Sequence, residues 1–206
     1  MEFHIENTQV YGLNKSVIAS GNAMRTVMAD NTADPTDRDL MRAGLLGSTG
    51  LGEGHDNFLN GIIVQFDLYA PLYMWKQIQR YHFLDFISSQ STMHRLLKFD
   101  VATQCVSDTD PVIVQRYQDL VADYNATSDE DPNIEKWRTL VASLPCGFVL
   151  GATMTTNYRQ LKTIYLQRRN HKLREWHYFC AWCRTLPLFT TICLGEDTDE
   201  SKKIQK

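Results

Sequence analysis

Asn157, Arg159 and Arg168 are the residues of this chain whose types and spacing invite chemistry. Asn157 and Arg168 stand eleven residues apart. On a helix that is about 1,100° of rotation and roughly 16 Å of rise, so both would share one face. Leu161, Ile164 and Tyr165 recur between them at helical spacing, and the pair Thr155 and Thr156 in front reads as the helix start. Arg159 points the other way, close to Thr163. Residues 155–184 hold seven of the chain's 21 Lys and Arg against one acid, Glu175, in a protein of net charge −3. The natural partner of such a stretch is an anion, and an arginine fork suits a phosphate or the carbonyl edge of a pyrimidine better than a lysine does. Polar groups on a face otherwise built for burial meet a polar ligand or lie at a subunit boundary.

Further residues stand in order upstream. Gly54 and His55 are followed by Ala70-Pro71 and then by Gln77-Ile78-Gln79-Arg80-Tyr81-His82, with 22 residues from His55 to Gln77. Leu144-Pro145 precedes Asn157-Tyr158-Arg159. This arrangement resembles the flavin-dependent thymidylate synthases, whose motifs are Gly-His, Ala-Pro, Gln-x-x-Arg-His-Arg, Leu-Pro, Asn-x-Arg and a further Arg. The matched blocks cover residues 54–95 and 138–185.

The resemblance implies a reaction and a set of contacts. A methylene group would pass from methylenetetrahydrofolate to C5 of dUMP to give dTMP, or to a related pyrimidine nucleotide. Reduced FAD would supply the hydride, and NADPH would reduce the flavin. No protein nucleophile is required, so the protein's task is to hold a flavin against a pyrimidine and to neutralise phosphates. Carried over by position, FAD contacts fall on His55, Asn57, Arg80, Tyr81, His82, Asn157, Arg159 and Thr163. Nucleotide contacts fall on Gln77, Arg80, Ser91 and Arg168. The family also implies a homotetramer with active sites where subunits meet.

The chain departs from the family in several places. Arg-His-Arg has become Arg80-Tyr81-His82, which loses a fixed guanidinium charge. Asn60 stands where an acid is expected, and Val141 where an arginine is expected, with Arg138 one turn earlier as its substitute; Arg95, from a shifted position, would replace the arginine that follows the Arg-His-Arg signature. Leu173-Arg174-Glu175-Trp176 replaces the closing Ala-Gln-x-Glu. A second reading follows from these losses: a flavin- or nucleotide-binding relative that kept the fold and lost the reaction.

The rest of the chain narrows the classes. Its 206 residues, 43% hydrophobic and 22% charged, suit one globular domain. No apolar run reaches the roughly 20 residues of a membrane span, and no basic, then hydrophobic leader opens the chain, so a cytoplasmic protein without membrane contact is expected. The odd count of five cysteines reads as reduced thiols. Cys180 and Cys183 have metal-ligand spacing but sit in a helical pattern with Trp176 and Phe179, so buried cysteines and no metal are expected. Arg168, Arg169, Lys172, Arg174 and Tyr178 could suit nucleic acid, but the negative net charge and the lack of any such motif argue against it.

The elements that must position these residues can be read in outline. Asp34-Pro35 caps a helix running to 46, and a Gly-rich loop follows at 50–54. Residues 62–69 alternate as a half-buried strand, Pro71 opens a helix to 80, and 82–88 alternate again. Asp110-Pro111 caps a helix to 125, a polar link at 128–133 leads to a helix ending near 144, and helices over 154–170 and 171–185 close the fold. The class is α+β: a single domain over 1–194, with a small, mostly antiparallel sheet packed by long helices. Residues 195–206 read as a flexible charged tail. The apolar faces of the last two helices, with Trp176, Phe179 and Trp182, predict a homo-oligomer.

Overall fold

The computed structural model describes residues 1–30, 33–126 and 134–196. In chain order the elements are β1 (His4–Tyr11), α1 (Leu13–Ala19), α2 (Asp37–Gly47), β2 (Ile63–Pro71), α3 (Leu72–Ile78), β3 (Asp85–Ser89) and α4 (Thr92–Arg95). They continue with α5 (Val101–Gln104), α6 (Pro111–Asn125), α7 (Ile134–Ala142), β4 (Val149–Asn157), α8 (Tyr158–Arg168), α9 (Arg174–Thr185) and α10 (Phe189–Leu194). The strands form one antiparallel sheet in the order β1-β2-β4-β3. This is the expected α+β class.

The chain divides into two compact units, and each strand contributes residues to both. The first comprises 1–6, 67–80 and 86–153. Its core gathers Leu96, Val101, Cys105, Tyr117, Leu140 and Phe148. Asp110 caps α6 as its sequence predicts, its carboxylate accepting from Val112 N at 2.7 Å with Pro111 in the first turn. Tyr117 on α6 is buried and donates to the Leu140 carbonyl at 3.1 Å, which ties α6 to α7. Burial pushes its phenol up to about 12. Within β4, Gly151 faces the Tyr69 ring, and a Cβ there would come within 2.6 Å of it. The ring lies flat against His4, with centroids 4.3 Å apart.

The second unit comprises 7–66, 81–85 and 154–206, of which 197–206 lie outside the described residues. Phe66, Phe179 and Trp182 pack edge to face or tilted at 4.6–6.4 Å, and Trp176 adds a further edge contact to Phe179 at 5.6 Å. Tyr158 packs on Phe189 and donates to the Pro187 carbonyl at 2.7 Å, securing α10. Trp176 and Phe179 on α9 are thereby fully buried within their own unit. Trp182 is half-buried, and Tyr178 on the same helix is exposed. Exposed apolar side chains also include Met24, Val27, Met28, Met41 and Leu45 in this unit and Phe86 and Ile87 on β3 in the first.

The strand pattern read from 62–69 holds, with Val64, Phe66, Leu68 and Ala70 buried and the intervening residues half-exposed. Other boundaries move. The cap of α2 is Thr36, whose hydroxyl accepts from Asp39 N while Asp39 reaches back to Thr36 N. Asp34 instead accepts from Asn14. Thr155 and Thr156 do not start a helix: they lie in β4, and α8 begins only at Tyr158. The strand expected at 82–88 begins only at Asp85, after Phe83 adopts a left-handed φ of 60°, and runs to Ser89 with all five residues exposed at the sheet edge. Strand β1, helix α1 and helix α10 have no counterpart in the sequence reading. The predicted link at 128–133 and the tail from 197 lie outside the described residues. Gly195, with φ 67°, ends α10, and Glu196 takes two hydrogen bonds from Arg184, at 2.8 and 2.6 Å.

Candidate functional site

Helix α8 leaves β4 without a connecting residue. Asn157 is both the last strand residue and the N-cap, its side-chain oxygen accepting from Gln160 N at 2.9 Å. Its backbone is extended, so the shared helical face argued for Asn157 and Arg168 does not exist, and its oxygen is committed to the cap. Tyr158 N donates to the Ile62 carbonyl at 3.0 Å and pins the junction. Leu161, Ile164 and Tyr165 bury the inner side of α8. Arg159 and Arg168 are nine residues apart, about half a turn out of phase, so they face opposite sides of the helix.

Arg159 sits over a buried carboxylate. Gly54, at φ 82°, turns the chain so that exposed His55 is followed by Asp56, which is 1% exposed. Asp56 Oδ2 accepts from Lys162 Nζ at 3.0 Å, and the same Nζ donates to the Thr49 carbonyl at 2.6 Å. Lys162 is itself 1% exposed. Arg159 Nε lies 3.0 Å from Asp56 Oδ1, an ion pair without hydrogen-bond alignment. Neither Arg159 Nη donates a hydrogen bond among the described residues. Thr163 donates back to the Arg159 carbonyl at 3.1 Å, so its proton serves the helix. Asn57 opens a short 3-10 turn and is exposed.

Arg168 is held from a different direction. Its Nε donates to the Tyr81 phenol at 2.6 Å, and Tyr81 donates in turn to Gln167 Oε1 at 3.2 Å. The guanidinium carbon lies 4.8 Å from the centre of the Trp176 ring and 5.5 Å from that of Tyr81. Its two Nη atoms carry no hydrogen bond or ion pair among the described residues. His171 lies beside the same tryptophan, centroids 6.3 Å apart, and its Nδ1 accepts from Leu173 N at 3.1 Å. Burial, then Arg168 and His177, hold its pKa below the usual 6.5. A neutral imidazole leaves the positive charge here on Arg168.

Both arginines are thus gripped through Nε and keep their terminal nitrogens open. That is the geometry a phosphate or a carbonyl pair requires of a preorganised guanidinium. His82, in the same unit, is exposed. Gln77, Arg80 and Ser91 belong to the first unit. Gln77 is half-buried on α3, and Arg80 lies exposed beyond its end. Ser91 caps α4, its Oγ accepting from His94 N at 3.3 Å. Of the proposed substitute arginines, Arg138 pairs with Glu135 at 3.3 Å on the surface and Arg95 is exposed.

Sequence reasoning missed Asp56, Lys162, Gln167, Trp176 and His171 as parts of these arrangements. Lys162 carried a signal: it stands on the buried stripe of α8, where a lysine needs a carboxylate. Asp56 lies between two residues already singled out.

Two crystal structures resemble the chain over nearly its full length. One is the flavin-dependent thymidylate synthase ThyX from Helicobacter pylori complexed with FAD and dUMP, with TM-score 0.66 and 14% identity, covering 94% of this chain and 98% of that one. The other is ThyX from the same organism, again with FAD and dUMP, with TM-score 0.66 and 16% identity, covering 95% of this chain and all of that one. The fold is that of the flavin-dependent thymidylate synthases. No family model and no curated protein matches the sequence.

Proposed function

We propose that the chain binds FAD and a pyrimidine deoxynucleotide monophosphate and transfers a one-carbon unit from methylenetetrahydrofolate to C5 of dUMP, or of a related nucleotide. The observation that carries this reading is the pair of Nε-anchored arginines with open forks on α8, in a fold shared with two structures crystallised with FAD and dUMP. The donor set fits both ligands: forks for phosphates, and polar loop and cap groups at His55, Asn57 and Asn157 for the flavin.

Reduced FAD would supply the hydride that completes the methyl group, with NADPH as its reductant. The protein's own residues bind and orient. Arg159, with Arg80, Tyr81, His82, Asn157 and Thr163, is assigned to the flavin. Arg168 is assigned to the nucleotide, with Gln77, Arg80 and Ser91. An arginine stacked on Trp176 keeps its plane fixed, so an incoming anion meets an already ordered fork. Because Arg159 and Arg168 face opposite sides of α8, they serve two different anions. A homotetramer that completes each site from neighbouring subunits accords with this reading, as does a cytoplasmic setting. No helix among the described residues is long and apolar enough to cross a membrane.

The committed oxygens favour one other reading. The Asn157 side-chain oxygen and Ser91 Oγ cap helices, and His82 stands where a guanidinium is expected. A relative that binds flavin or nucleotide without turnover would carry such losses. Purified protein showing the absorption of bound flavin, and rescue of thymidine-requiring cells that lack thymidylate synthase, support the enzyme. Flavin binding without rescue supports the non-catalytic relative. Colourless protein that cannot be reconstituted with FAD overturns both.

A further inference from the structure

We propose that Lys162, which touches no ligand in the reading above, is a positioning residue: by occupying the Asp56 carboxylate it keeps the Arg159 guanidinium available to an anion. The inference deepens that reading, on which it rests for the identity of the anion.

Among the described residues, the ion pairs in this corner of the second unit do not balance. One carboxylate, Asp56, faces two cations, Lys162 and Arg159. The two fully buried members are Asp56 and Lys162, hydrogen-bonded to each other at 3.0 Å, with a further Lys162 proton given to the Thr49 carbonyl. Burial strengthens their attraction, so the carboxylate's charge is largely cancelled at depth. The surplus positive charge resides on Arg159, whose side chain is 34% exposed. Its Nε stays near Asp56 Oδ1 but out of hydrogen-bond alignment, so the carboxylate holds the guanidinium in place without closing on its fork.

Removing the lysine charge changes this. Asp56 would then be a buried carboxylate with both oxygens unsatisfied, a state costly enough to recruit the nearest donor. That donor is Arg159. Its planar fork would swing inward and pair with both oxygens, leaving a neutral pair and no open terminal nitrogens. A lysine buried in α8 for packing alone predicts no such coupling.

The test uses Lys162→Met and the double variant Asp56→Asn/Lys162→Met. Two readouts are taken: the rate of phenylglyoxal modification at Arg159 by peptide mass spectrometry, and FAD affinity from quenching of flavin fluorescence. In Lys162→Met the modification rate and the affinity are each expected to fall about tenfold, the size of one charged contact. In the double variant, with no carboxylate left to capture the guanidinium, both should return toward wild type. Wild-type modification of Arg159 in Lys162→Met, or a double variant as slow as the single, overturns the inference. If Lys162→Met does not fold, Lys162→Gln, which can still donate to the Thr49 carbonyl, takes its place with the same expectations. Wild-type protein that binds no FAD but shows the expected modification pattern supports the inference and removes the flavin assignment alone.

Discussion

The Tyr81 phenol accepts the Nε proton of Arg168 at 2.6 Å and gives its own to Gln167 at 3.2 Å. Tyr81 stands where the sequence resemblance would put a histidine, so this clasp is a feature of the chain's own sequence. Tyr81→Phe should keep the ring against Trp176 and lose only the hydrogen bond. We expect dUMP affinity to drop by about 0.5–1.5 kcal/mol, against about 1.5–3 kcal/mol for Arg168→Ala, with little change in melting temperature. Calorimetric titration of the flavin-loaded protein measures both. Equal affinity in Arg168→Ala and wild type would remove this arginine from the nucleotide site.

Arg159→Ala and Arg80→Ala should each weaken FAD retention at least about tenfold, or about 1.4 kcal/mol. The check is a flavin titration of the apoprotein at two salt concentrations. A partly exposed guanidinium loses part of its pull as ionic strength rises. Variants that hold FAD like wild type would show the flavin assignment to be misplaced.

His171 gives a pH signature. Its folded pKa lies below 6.5, first through burial and then through Arg168 and His177. The folded state therefore binds fewer protons than the unfolded chain just below 6.5, so stability rises with pH up to that value and is eroded beneath it. His171→Asn, which can still accept from Leu173 N, should flatten that slope. Urea midpoints at about pH 5 and about pH 8 read it out.

Thiol chemistry should be nearly silent. Cys105, Cys180, Cys183 and Cys193 are buried and Cys146 is exposed. Burial pushes Cys180 up to about 11 and Cys183 well above its usual value. Ellman's reagent on native protein should titrate one thiol rapidly, and Cys146→Ala should abolish that phase. Rapid reaction of a second thiol would contradict the burial of the other four.

The fold was legible where a local signal had no competitor. The alternation along β2 and the Asp110-Pro111 cap both survive in the structure. Strand β4 was not legible because its residues Gly151 and Ala152 dilute the alternation, and because Thr155 and Thr156 suit a strand as well as a helix start. Strand β1, half polar and at a sheet edge, offers little more. In the candidate site, the arginines on α8 could be singled out by spacing and charge. Their partners could not: Tyr81 reaches Arg168 across 87 residues of sequence and Lys162 reaches Asp56 across 106, and neither separation leaves a periodic trace.

The junction of β4 and α8 has a further consequence. With Asn157 closing the strand and opening the helix, the strand register acts as an index mark for the helix, and no slack segment can absorb an error. One residue inserted between Thr156 and Asn157 would turn α8 by about 100° and advance it by about 1.5 Å, or force the cap to break. Arg159 and Arg168 would leave Asp56 and Tyr81 in the same step. The two arginine placements, though on opposite sides of the helix, are keyed to a single peptide link and are kept or lost as a pair.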